Sequence, residues 1–171
     1  ACFHLGLDHM YRFNRQDNAR ASELFTRSLE CDPYFSGAMG GLSFTHFQSA
    51  FMRFAEDPEA EVEKARALAH QAVETDRLDP FAHFNAGRCS WLDGRLEDSI
   101  AWFDRATNLS PSFAQGVYTR GLVSVMAGQA AQADADLALA LDLSPLDPLA
   151  YGMVSARALV QLQLGDRHRA E

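Results

Sequence analysis

The chain has 171 residues, 47% hydrophobic and 22% charged, enough for one ordinary folded domain with a core of its own. A net charge of −8 and a pI near 5.2 disfavour a general nucleic-acid-binding surface, and no apolar run reaches the roughly 18 residues a membrane span requires. Cys2, Cys31 and Cys89 are scattered without a CxxC pair, which suits thiols in a reducing, cytoplasmic compartment better than a disulfide framework.

Apolar periodicity and helix-boundary residues predict helices near 2–13, 17–30, 34–51, 58–76, 80–93, 96–109, 113–127, 130–143 and 147–164. In the first pair, Leu5, Gly6 and His9 lie on one helix and Ala21 and Phe25 on the next, closed by Pro33. The second pair opens at Ser36 with Met39, Leu42, Ser43 and His46, and resumes after the insert SAFMRFAEDPE with Ala65 and Ala69. Asp57-Pro58 is a helix start. Residues 50–59 are expected to prolong a first helix or to project, with Phe51 and Phe54 folding back on a neighbour. Between Pro80 and Pro111 come His83, Ala86, Gly87, Ser90, Ser99 and Phe103. The next pair carries Val117, Gly121, Ser124, Ala133 and Leu137 before Pro145. A Leu146-Asp147-Pro148 extension then leads into the last helix, with Gly165 and Ala170 about the following turn.

Two stretches, DGRLEDSIAWFDRATNLSP (93–111) and AGQAAQADADLALALDLSP (127–145), end in the same Leu-Ser-Pro. Their glycines, Gly94 and Gly128, are 34 residues apart, as are Pro111 and Pro145. That interval, with small residues at 87 and 121 and Phe103 or Leu137 on the second helix, resembles the tetratricopeptide repeat (TPR) along essentially the whole chain. The resemblance implies an all-α fold, a right-handed TPR superhelix (α-α superhelix) of about four and a half helix–turn–helix repeats. The single array would run over 1–171, with repeats near 1–33, 34–77, 78–111, 112–145 and a partial 146–171, and is expected to be a piece of a longer protein. Gly87 and Gly121 are expected where helices approach closely.

A narrower likeness rests on RFNRQDNARASELFTRSLECDPYFSGAMGGLSFTH, AFMRFAEDP and LSPLDPLAYGMVSARAL. These look like the repeat region of bacterial signalling proteins, in which a class III adenylyl cyclase domain or a winged-helix DNA-binding domain precedes the repeats. Arginine outnumbers lysine 14 to 1, the bias of a GC-rich bacterial genome. The likeness implies a signal-transduction setting. It carries no activity onto these residues, because neither the cyclase aspartates nor a winged helix is identifiable.

No GxSxG, P-loop, GxGxxG or HExxH occurs, so no catalytic residue and no enzyme activity is expected of the segment. The histidines at 4, 9, 46, 70, 83 and 168 never fall three or four apart, so no metal site is expected, nor any cofactor. Asp134 and Asp136 read as solvated charges on different faces of one helix. A binding groove is the better candidate. First helices line the concave face of such an array, and the stripe there reads Leu7, Met10 and Tyr11, then Phe44 and Phe47, then Phe84, Arg88 and Trp91, then Tyr118 and Leu122.

This stripe could hold a peptide or helix, with Arg88 pairing an acidic group; about half of it would be ordinary packing between helices, as apolar stripes usually are. A lysine–asparagine–arginine carboxylate clamp is not expected, since Phe3 and Phe81 stand at the lysine places beside Asn85. The expected partner is a protein or peptide, with no direct nucleic-acid or membrane binding. The alternatives are an effector domain of a winged-helix regulator, a sensor of a small ligand, and a purely structural module. Tyr151, Val154, Leu159, Val160, Leu162 and Leu164 are too many apolar residues for one neighbour to cover, so a homodimer through the C-terminal end is also expected.

Overall fold

The computed structural model describes residues 1–165; the expectations on His168, Ala170 and Glu171 lie outside the described residues. Among the described residues there are nine α-helices and no strand. They cluster into two compact units, Ala1–Asp93 and the residues from Gly94 on. The first unit holds α1 (Cys2–Met10), α2 (Arg15–Cys31), α3 (Ser36–Phe51), α4 (Pro58–Thr75) and α5 (Pro80–Leu92). The second holds α6 (Leu96–Leu109), α7 (Ala114–Met126), α8 (Ala130–Leu143) and α9 (Ala150–Gln163).

Local chemistry explains most helix starts in the first unit. Asn14 caps α2 by accepting the Asp17 N–H at 2.9 Å, and Asp57 caps α4 by accepting that of Ala60 at 3.0 Å. Asp79 accepts the Phe81 N–H at 2.9 Å ahead of Pro80, whose missing N–H would have had no helical partner. Asp79 also accepts the Ser36 hydroxyl at 2.8 Å, tying the start of α3 to that of α5.

Two boundaries differ from the sequence expectation. The first helix stops at Met10 rather than near residue 13, because the chain turns through Phe13 in the left-handed region at φ 51. The last helix begins at Ala150 rather than 147, because Asp147 serves the turn before it. Its carboxylate accepts the Leu149 N–H at 2.8 Å and the Ser144 hydroxyl at 3.1 Å.

Packing in the first unit is keyed by Phe25. A Cβ built on Gly6 of α1 would lie 2.7 Å from Phe25 Cε1, and one on Gly41 of α3 would lie 2.5 Å from it. The ring therefore fills a slot that only two glycines leave open, and it is fully buried. In the second unit Gly121 of α7 plays the same part. A Cβ there would meet Asp136 Cβ at 3.0 Å and Leu137 Cγ at 3.1 Å, both on α8. Around it Val117, Ala140 and Met153 form one cluster, and Ala133, Leu137, Ala156 and Val160 another. Gly87 is buried as well.

The reading of Asp136 as a solvated charge is corrected by the structure. Asp136 is buried on the face of α8 turned to α7, where Arg120 donates to both its oxygens at 2.8 and 2.6 Å. Asp134, one face round, accepts from Arg157 at 3.0 Å and Gln161 at 2.6 Å on α9. These charges join neighbouring helices.

Candidate binding site on the first unit

Helices α1, α3 and α5 are the first members of successive pairs, and α3 packs on both α1 and α5. The stripe expected to line a groove in this unit lies along them at several depths. Met10, Phe44, Phe47, Phe84 and Arg88 are buried, Leu7 and Trp91 are partly buried, and Tyr11 is 39% exposed. Helical spacing alone does not give this depth. Gly40 lets α5 close on α3, since a Cβ there would sit 2.9 Å from Phe81 Cδ1. Phe44 consequently lies under both Phe81 and Phe84, at ring-centroid distances of 6.2 and 6.3 Å.

Arg88 sits at the centre of this aromatic seam. Its Cζ is 3.5 Å from the ring centroid of Phe47, 3.7 Å from that of Phe44 and 5.3 Å from that of Phe84. Such contacts engage the faces of the guanidinium and leave its N–H groups, which point outward in its plane, to be satisfied separately. No carboxylate of the described residues pairs with it, and Nη1 is buried without a hydrogen-bond partner. Burial lowers the guanidinium from its ordinary value to about 9, so it keeps its charge at neutral pH. Asn85, one helical turn earlier, donates to the Phe81 carbonyl at 2.8 Å and leaves its own Oδ1 buried with no partner.

Three further rings belong to the seam, and the stripe does not include them. Phe13 lies 6.4 Å from both Tyr11 and Phe44. Its left-handed turn puts it there, and the left-handed position is held by Phe13 itself and not by the neighbouring Asn14 or by a glycine. Phe51, 50% exposed, stacks on Phe47 at 5.5 Å and lies 5.3 Å from Trp91. Phe81, read in the sequence only as a residue displacing a lysine, roofs Phe44. The insert ends α3 at Phe51 and turns through Arg53 at φ 53, with Phe54 half-buried beneath Arg15 at 5.5 Å.

Tyr118 and Leu122, the stripe's members in the second unit, are partly buried and pack against its own core clusters. Two histidines, His9 and His46, serve as cross-helix partners. His9 Nδ1 lies 2.5 Å from Asp17, and His46 Nδ1 lies 2.6 Å from Glu61. Hydrogen bonds from Asn14 and then His9 hold the Asp17 carboxyl below its ordinary value. Burial pushes Glu61 up, but His46 and Lys64 outweigh it and the net shift is downward. Burial drives the Cys89 thiol up to about 11, which keeps it protonated and poorly nucleophilic. Among the described residues no three His, Cys, Asp or Glu side chains converge on a point where a metal could be held.

No family model and no curated protein matches the chain. Solved structures do. TTC0263, a thermophilic TPR protein of Thermus thermophilus, is 22% identical with a TM-score of 0.73, over 99% of this chain and 84% of that one. PilF of Pseudomonas aeruginosa is 20% identical with a TM-score of 0.72, over 99% of this chain and 70% of that one. YrrB, described as a TPR protein with an unusual peptide-binding site, is 14% identical with a TM-score of 0.60, over 91% and 73%. At such identities the shared property is the fold. The chain has the all-α TPR fold.

Proposed function

We propose that the chain is a non-catalytic protein–protein interaction module whose first unit receives a peptide segment of a partner along α1, α3 and α5. The observation that carries this reading is the aromatic seam closed around a buried, unpaired guanidinium. Such an arrangement is poor as a stability device, because removing a charge from water without a counter-charge is costly. Met10, Tyr11, Phe44, Phe47, Phe84, Arg88 and Trp91 build the seam, with Phe13, Phe51 and Phe81 at its edges. Tyr118 and Leu122 of the second unit, packed against that unit's own core clusters, are not part of the seam. A peptide-binding site in YrrB, a protein of the same fold, is consistent with this use.

The setting read from the sequence is regulatory: a cytoplasmic segment of a bacterial signalling protein, beside a class III adenylyl cyclase or a winged-helix domain. It rests on the long second repeat and the Pro145–Pro148 junction. The free thiols of Cys2, Cys31 and Cys89 suit that compartment, and among the described residues no helix is long and apolar enough to cross a membrane.

Peptides selected by display on the intact chain should slow amide hydrogen exchange in α1, α3 and α5. Protection confined to other helices, or no protection, would overturn the reading. A second reading, a homodimer formed through α9, draws on the exposure of Tyr151, Val154, Leu159 and Leu162. Sedimentation of the intact chain against a Leu159→Glu/Leu162→Glu variant tests it, since a dimer built there should become a monomer.

A further inference from the structure

The unpaired guanidinium specifies what the partner has to bring, and the inference rests on the groove reading above. We propose that Arg88 receives a single carboxylate of the bound segment, set between apolar or aromatic residues of that segment. Phe44 and Phe47 cover the faces of the guanidinium, so the group that completes it must approach in its plane. A carboxylate does this with two parallel hydrogen bonds, the strongest arrangement open to arginine. Asn85 precedes Arg88 by three residues and shares its face of α5. Its unpartnered Oδ1 is an acceptor suited to a backbone N–H beside that carboxylate.

The surroundings narrow the ligand further. A chain of net charge −8 repels acidic runs and polyanions at long range, whereas one carboxylate among apolar neighbours is not penalised in that way. The rim is apolar and half-open, with Tyr11 39% and Phe51 50% exposed, so flanking Leu, Phe or Tyr side chains have rings to cover.

The carboxylate can come from an Asp or Glu side chain or from a chain terminus, and one experiment separates these sources. Randomised octapeptides are displayed in two formats, one ending in a free C-terminal carboxylate and one continued by a neutral linker. Selection on the intact chain should enrich Asp or Glu beside apolar residues in the linker format, or apolar ends in the free format. For a selected peptide, replacing the carboxylate by its amide should weaken binding at least tenfold, and that difference should vanish in Arg88→Met. Arg88→Lys, which keeps the charge but loses the planar fork, should retain only part of it. Thermal melts confirm that both variants fold. Enrichment of peptides without a carboxylate, or a carboxylate preference that survives in Arg88→Met, would overturn the role of Arg88 and leave the groove standing. No enrichment in either format would overturn both.

Discussion

Two arginines stand beside two equivalent glycines, and the two units use them in opposite ways. Arg88 follows Gly87, and Arg120 precedes Gly121, which lies 34 residues after Gly87. Relative to the glycine they are two positions apart, about 200° round a helix, and so they face different neighbours. Arg120 turns to the second helix of its own pair. There it grips Asp136 twice, and it also reaches Asp104 at 2.9 Å and the Thr107 hydroxyl at 2.8 Å. Hydrogen bonding to Asp136 holds it above its ordinary value despite burial. Arg88 turns to the neighbouring first helix and meets only rings. The same residue type is a rivet in one unit and an uncompensated charge in the other. Position within the repeat decides which.

The strongest test of that contrast is Asp136→Ala. Removing one partner of a buried pair leaves the other uncompensated, so a loss of about 3–5 kcal/mol is expected in thermal or urea unfolding. A much smaller loss would mean that Asp104 and Thr107 satisfy Arg120 on their own. Gly121→Leu attacks the same α7–α8 contact by volume and should cost about 1–3 kcal/mol by overpacking. An unchanged melting temperature would count against the close approach.

Replacing each arginine by methionine sharpens the comparison through its sign. Arg120→Met strands the Asp136 carboxylate and should destabilise. Arg88→Met removes an unpaired buried charge while keeping much of the side chain's bulk, and should stabilise the free chain by about 1 kcal/mol. Destabilisation by both would show that Arg88 has a structural role comparable to that of Arg120.

The smallest expected effect is on pH dependence in the first unit. Asp17 and Glu61 are held below their ordinary values, so both contribute stability above the unfolded-state value of about 4, and that contribution is lost as pH falls through the lower folded value. Melts from pH 6 to 3 should therefore decline, and Glu61→Gln, which lacks the contribution at every pH, should decline less steeply. Parallel curves would exclude Glu61 as a source of the slope.

What could be read in the sequence was whatever local chemistry determines. Gly94, Gly128 and the Leu-Ser-Pro closings are turn residues with a fixed physical role, so the repeat period and most helix limits were visible in them. Phe25, Phe103 and Leu137 could be placed because one helix period fixes which face they take. The Arg120–Asp136 pair was not visible, since no spacing within one helix signals a bond between two. The depth of Phe44, Phe47 and Phe84 was hidden for a related reason: it depends on how closely Gly40 lets α5 approach. Phe13 was missed because its turn is carried by a residue that rarely adopts a left-handed conformation.

The turns also bear on how such a chain could grow. At Gly94, Gly128 and Gly165 the left-handed position is filled by glycine at φ 74, 75 and 81, and a Cβ at Gly94 or Gly128 would touch nothing within 4 Å. The turns at Gly94 and Gly128 need no side-chain partner of their own, because neither hinge residue makes a side-chain demand on whatever lies next to it. Phe13 and Arg53 occupy the corresponding places upstream, and neither is neutral. Phe13 lends its ring to Phe44, and Arg53 offers its carbonyl to Arg15 at 3.4 Å. Gene duplication could copy either downstream turn with its chemistry intact, whereas a copy of either upstream hinge would strand a side chain or a carbonyl whose partner lies in another helix. A turn of the glycine kind is thus one that a repeat can be copied through, while the upstream hinges are tied to partners of their own.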